Sequence, residues 1–381
     1  MRRNLLLAMA LLLPSAALAQ PNFPLAPPAF NSHEIHPDHT VTFRYKDAAA
    51  TTVKLALEGT PHLLPMQRDP AGVWSVTTPP LGPELYTYSF QVDGKNHADP
   101  DNPRSTSSLT AVSSVLHVPG DTPEPWDTTA VPHGVLHHHT YTTQVVLGLP
   151  GNQSEYIVYT PPGYDARSHH RYPVLYLLHG WSDRVDGWTT NGQANIIFDN
   201  LFAEKRIQPM IVVMPLGYGD MAFVHNGHKV WDDPVKVQHN LSLFSQALLT
   251  EILPQVEADY AVSRKREDRA IAGLSMGGLE ALTVGLTHPD LFAWVVGMSA
   301  AFHNTTYTQQ LSDLNPKKAN LRLLWVSCGT DDRLFDPNRR FIAFLQAHNM
   351  PVTAIETPGM HAWLTWRENL IHFTPLLFRK H

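Results

Sequence analysis

The sequence has few of the features that staple or anchor a chain. Its 381 residues include a single cysteine, Cys328, so no intramolecular disulfide can form. A chain of this size without covalent staples draws its stability from a large apolar core. Cys328 closes an apolar run and reads as a small buried residue, not as a nucleophile or redox group. Charged residues are only 16% of the chain, the net charge is −6, and no cluster of lysine or arginine stands out. That balance argues against nucleic acid or an anionic membrane surface as partner. No segment after the first nineteen residues reaches the ~18 uninterrupted apolar residues of a membrane helix.

The first nineteen residues are of another kind. Arg2 and Arg3 precede the apolar stretch Leu5 to Leu13, and Ala17-Leu18-Ala19 has the form of a cleavage signal. This pattern predicts a secretory signal peptide removed after Ala19, leaving a secreted or periplasmic protein with no membrane association. No cysteine follows the cleavage point directly, which argues against a lipid anchor there. Residues 20–36 form a proline-rich leader.

From 37 to 119 the texture is β. Val41/Phe43/Tyr45, Val53/Leu55/Leu57 and Tyr86/Tyr88/Phe90/Val92 alternate with polar residues at period two. Turn signals such as Asp69-Pro70-Ala71-Gly72 and Asp93-Gly94 separate the runs. A small antiparallel sandwich is expected. Residues 120–134 are again rich in proline and read as a linker. From 135 to 381 the runs at 172–180, 210–215, 269–273, 293–299 and 321–329 are nearly unbroken apolar, as central strands of a parallel sheet should be. Helix-compatible segments at 244–260, 276–288 and 337–348 alternate with them. The expected fold class is α/β, a mostly parallel central sheet flanked by helices, preceded by the all-β sandwich.

One short segment carries chemistry. RAIAGLSMGG, Arg269 to Gly278, sets Ser275 between glycines after a strand-like run and before a helix-like one. In G-x-S-x-G the serine stands on a tight strand-to-helix turn, clear of the chain and at a helix N-terminus that favours a developing anion. The pentapeptide is common enough by chance that partners must be found. Active residues of open α/β sheets gather at the C-terminal ends of strands. The run ending at Gly329 is followed by Asp331, Asp332 and Asp336, and the next strand leads to His361 in a glycine-containing loop. The order serine, aspartate, histidine is that of α/β-hydrolases. Position leaves Asp331 and Asp332 equivalent, and Glu356 is a weaker candidate inside its strand.

Two backbone N–H groups should complete an oxyanion hole, one from Met276 and one from Trp181 after Gly180. His179 beside that turn should brace the loop rather than act as base. Trp181, Trp188, Trp231 and Trp363 fall in or near loops that could rim the site, the last three being candidate substrate contacts. Residues 217–233 read as a polar, glycine-rich loop or lid. Consecutive His137, His138 and His139 alternate faces on a strand, so they do not make a metal site; no metal or organic cofactor is expected. Asn152, Asn240 and Asn304 match the N-glycosylation pattern.

Taken together, YPVLYLLHGWSD, AIAGLSMGG, CGTDD and PGMHAWLTWRENLIHFTPLLF resemble the putative-esterase family of α/β-hydrolases, over residues 140–379. That family holds feruloyl and acetylxylan esterases, enterochelin esterases, S-formylglutathione hydrolases and mycolyltransferases. The resemblance implies an α/β-hydrolase fold and a triad of Ser275, Asp332 and His361, its G-T-x-D pattern selecting Asp332. The stretch GVWSVTTPPLGPELYTYSFQVDG resembles immunoglobulin-like modules related to glycogen-binding domains, which precede the esterase domain in many secreted bacterial proteins. Trp74 and Tyr86 there are either core residues or a sugar platform. The expectation is a secreted serine esterase acting on feruloylated or acetylated plant polysaccharide. Siderophore esterase, acetylxylan esterase, acyltransferase and a non-catalytic carbohydrate binder are the alternatives.

Overall fold

The computed structural model describes residues 30–167, 169–302 and 306–379. The expected signal peptide, most of the proline-rich leader and the Asn304 pattern lie outside them. The period-two runs become strands of two antiparallel sheets. One orders His33–Ile35, Val41–Lys46, Val73–Thr77 and Gln67–Arg68; the other orders Leu64–Pro65, Val53–Leu57, Glu84–Val92, Val112–Val118 and Ser105–Ser107, with Lys95–His97 pairing on Glu84–Val92. Val41, Phe43, Leu55 and Phe90 are completely enclosed between them. Trp74 and Tyr86 are also buried: the Trp74 indole N–H donates to Asp47 O (2.8 Å) and the Tyr86 hydroxyl to Gly82 O (3.2 Å). They are core residues, not an exposed platform.

The strand Glu84–Val92 departs from simple alternation, because both its faces are covered. Leu85 packs into the core of the following α/β region, while Leu364 of that region packs against the sandwich core. Helix Trp363–Phe373 therefore lies against the second β-sheet. Its buried Arg367 forms an ion pair with Glu84 (2.9 Å) and donates to Leu85 O (2.6 Å) and Asn191 O (2.5 Å).

The segment expected to be a linker is fastened rather than loose. Asn200 donates to Pro125 O and Asp127 O, and Asp199 accepts from Gly134 N–H and bonds His133, so the helix Ala194–Ala203 clamps it in place. Short polar side chains on one buried helix face bind the extended backbone, which has no ladder of its own.

Beyond it stands an eight-stranded sheet ordered Val135–Thr142, Gln153–Thr160, Ile211–Pro215, Val174–Leu178, Arg269–Leu274, Trp294–Met298, Leu323–Gly329 and Val352–Thr357. The first two strands join antiparallel and the rest run parallel. The fold is that of an α/β-hydrolase. The inner strands are buried at every residue, as their unbroken apolar sequences require. The helix expected to start at Phe244 starts ten residues earlier, at Pro234. Asp233 caps it by accepting from the Val235 and Lys236 amides. It then runs on to Asp259 through a π turn at Leu248–Ile252, which precedes Pro254 and accommodates its missing N–H.

Candidate active site

Ser275 opens the helix Ser275–Thr287 directly after the strand Arg269–Leu274, with φ of 51°. This left-handed backbone is strained for any residue but glycine and lifts the side chain out of the turn. The flanking glycines have a packing reason. A Cβ on Gly273 would lie 2.2 Å from Gly277 O, and one on Gly277 would lie 2.5 Å from His179 O. Close approach is also what lets the Gly277 N–H donate to His179 O (3.1 Å), tying the turn to the neighbouring strand end.

Three side chains meet at the strand ends. The Ser275 hydroxyl donates to His361 Nε2 (3.0 Å), and His361 Nδ1–H donates to Asp332 Oδ2 (2.8 Å). Asp332 is buried at 5% exposure; Asp331 is exposed, and its backbone N–H donates to Gly359 O. Burial alone would discourage ionisation of Asp332. The hydrogen bond and charge of His361, with the Leu334 N–H and Ser299, outweigh it, and the carboxyl sits below its ordinary range. Glu356 is turned away, paired with Arg339.

The His179–Asp183 turn closes the other side. His179 donates from Nδ1 to Gly180 O (2.8 Å) and accepts at Nε2 from Gly217 N–H (2.9 Å), the bracing expected of it. Burial pushes its pKa down to about 4, so it stays neutral in this role. Asp183 accepts from Gly180 N–H (3.0 Å), folding the turn back on itself. The Trp181 and Met276 backbone N–H groups have no acceptor among the described residues. Met276 directly follows Ser275, and Trp181 lines the same cleft as Ser275.

A cleft of about 520 Å³ opens over Ser275. Trp181, Asp183, His361 and Trp363 line one side; Leu57, Glu58, His62, Leu63 and Tyr88 of the N-terminal sheets line the other. Two expected rim residues are elsewhere. Trp188 is fully enclosed, its indole N–H donating to Leu178 O (2.9 Å), because its short helix Gly187–Thr190 turns that face to the sheet. Trp231 is buried edge-on against Phe223, with ring centroids 4.9 Å apart. Segment 217–233 forms short helical turns packed on Trp181, whose indole N–H donates to Phe223 O (3.0 Å).

Other motifs have structural partners. His137 bonds Thr160, and His139 stacks on Tyr156 and bonds Tyr260. Asn240 is buried and accepts from the Gly219 and Asp220 amides, so it is not a glycan acceptor in the folded chain. Cys328 is buried, its thiol pushed up to about 12 by that burial and by Asp332, and bonds Ser299.

The sequence profile of the family described as Putative esterase matches residues 149–377. An endo-1,4-beta-xylanase/feruloyl esterase of Xylanibacter ruminicola is 29% identical over 339 residues, 87% of this chain. The chain spans only 44% of that protein's length. A solved ferulic acid esterase is 28% identical, with a TM-score of 0.54, over 64% of this chain and 97% of its own. An enterochelin esterase of Shigella flexneri shares the fold at 19% identity, with a TM-score of 0.67 over 90% of this chain and 94% of its own. With more than half of its length matched by the profile, the chain belongs to the Putative esterase family.

Proposed function

We propose that this protein is a secreted serine esterase that releases ferulate from plant cell-wall polysaccharide through an acyl-enzyme on Ser275. The observation that carries the mechanism is the unbroken chain of hydrogen bonds from Ser275 through His361 to Asp332. His361 Nε2 takes the hydroxyl proton as Ser275 Oγ attacks the ester carbonyl. The oxyanion is held by the Met276 and Trp181 amides. His361 returns the proton to the departing alcohol, and water, activated by the same imidazole, then frees the acid. Asp332 keeps the proton on Nδ1 and stabilises the imidazolium.

The feruloyl assignment is supported by the xylanase/feruloyl esterase relative, whose similarity extends over the N-terminal sheets as well. The cleft agrees with it. Trp181, Trp363 and Leu63 offer flat and apolar surface to an aromatic acyl group. Siderophore esterase is the second reading, favoured by the length of the shared fold. The cleft lining counts against it, for among the described residues it holds Glu58 and Asp183 but no lysine or arginine to meet an anionic iron–catecholate complex. Export rests on the signal-like first nineteen residues.

The test is ferulate release from methyl ferulate by residues 20–381, with Ser275→Ala as blank. Turnover that disappears in the variant is expected. Hydrolysis of a simple acetyl ester without any of methyl ferulate would discard the substrate and keep the mechanism; equal turnover by Ser275→Ala would discard the nucleophile.

A further inference from the structure

Glu58 belongs to the N-terminal sheets, yet its carboxylate ends at the catalytic loop. It directly follows the strand Val53–Leu57, and its own N–H donates to Thr87 O (2.9 Å). Oε2 accepts from the Thr87 amide (2.9 Å) and hydroxyl (2.8 Å), which fixes the carboxylate in place. Oε1 accepts from the Trp363 N–H at 2.6 Å, across 305 residues of sequence.

Trp363 is the first residue of helix Trp363–Phe373, and its N-cap residue, Ala362, has no side-chain acceptor to offer. The first N–H groups of a helix lack internal partners, and its N-terminus is electropositive, so a carboxylate there is stabilising. In most helices a neighbouring serine or aspartate does this. Here the acceptor comes from another layer of the molecule.

The helix start matters because His361 stands two residues before it. One turn along the helix, the Trp366 ring meets the His361 imidazole edge-on, with centroids 4.9 Å apart, and its indole N–H donates to Ser299 Oγ (3.2 Å). The first turn thus sets both the backbone that carries the imidazole and the ring it rests on. Anchoring of the whole helix is done separately by the Arg367–Glu84 pair. Losing Glu58 therefore loosens the first turn without detaching the helix.

We propose that Glu58 is a positioning residue for ester hydrolysis, holding His361 in line with Ser275 by capping the Trp363 amide from the N-terminal sheets. This rests on the reading of Ser275, His361 and Asp332 as the reacting set. It makes the N-terminal region a working part of the active site and not only a wall of the cleft.

The experiment uses residues 20–381 and 4-nitrophenyl acetate, whose small acyl group makes little use of the cleft walls. Wild type, Ser275→Ala, Glu58→Ala and Glu58→Gln are compared, with a melting curve for each. Glu58→Ala is expected to lower kcat about tenfold, the scale on which small misplacements act, with KM changed by less than about twofold. Glu58→Gln should recover part of kcat, because its amide oxygen can still accept from Trp363 although its NH2 group cannot accept from the Thr87 amide. Wild-type kcat in Glu58→Ala, beside an inactive Ser275→Ala, overturns the proposal. So does an equal loss in the alanine and glutamine variants, or a loss that follows only the unfolded fraction. Activity surviving in Ser275→Ala would instead bring down the active-site reading, and this inference with it.

Discussion

Asp332 reaches the His361 imidazole at 2.8 Å, while its neighbour Asp331 points to solvent. Two adjacent aspartates after one strand thus have different fates, set by the turn. The Asp332 side chain closes a turn by accepting from Leu334 N–H (2.8 Å), and the Asp331 amide is tied to Gly359 O (2.9 Å).

Asp332→Asn should therefore lower kcat by about 10⁴, because an amide cannot hold the Nδ1 proton in the productive tautomer. Asp331→Asn should stay within about threefold of wild type on the same substrate. Steady-state rates on methyl ferulate decide it. A larger loss in the Asp331 variant would reverse the assignment.

Much of this site was legible in the sequence because each of its parts obeys a local rule. The elbow around Ser275 needs small neighbours, and the loops holding Asp332 and His361 begin at the C-terminal ends of consecutive strands. Order along the chain then sufficed. Asp331 and Asp332 could not be separated by such rules, since one residue of turn geometry divides them. The misplaced tryptophans fail for the same reason: whether Trp188 faces the cleft or the sheet depends on the orientation of a four-residue helix. Glu58 left no signal at all. Its partner is 305 residues away, and nothing in the residues around it marks a capping role. The linker at 120–134 was read from proline content, which reports the lack of a ladder but not the clamp supplied by Asp199 and Asn200.

The elbow itself can be tested at Gly277. An alanine Cβ there would meet His179 O at 2.5 Å and Leu178 O at 2.6 Å, both backbone atoms that cannot step aside. Overpacking of this kind costs ~1–3 kcal/mol and must displace Ser275 or the Trp181 turn. Gly277→Ala should lower Tm and reduce kcat by more than tenfold. Wild-type kinetics in a variant that melts normally would show that the contact relaxes without cost.

The Asp183 carboxyl offers a pH test. Burial pushes its pKa up to about 7, against the stabilising Gly180 N–H and with help from the Asp186 and Glu58 charges. The unfolded chain releases the same proton near 3.8. Between those values the folded state holds a proton that the unfolded state lacks, so this group makes stability fall as pH rises from about 4 to about 7. Asp183→Asn removes that slope. The Tm of the variant minus that of wild type should climb across the window and level off above it. A difference that is flat with pH would mean the carboxyl is ionised throughout.

The last prediction concerns what joins the N-terminal sheets to the esterase region. Arg367 is 1% exposed, and its guanidinium is satisfied by Glu84, Leu85 O and Asn191 O together. Removing one member of a buried pair leaves the other charge without compensation, at ~3–5 kcal/mol. Arg367→Met should therefore destabilise strongly in urea. Arg367→Met combined with Glu84→Gln should be less damaging than the two single effects added, because the stranded carboxylate has gone. Both regions should unfold in one transition in the wild-type protein, since Leu85 and Leu364 interlock their cores. If the double variant is as unstable as the sum of the singles, Glu84 and Arg367 act independently, and the junction is held by its apolar contacts alone.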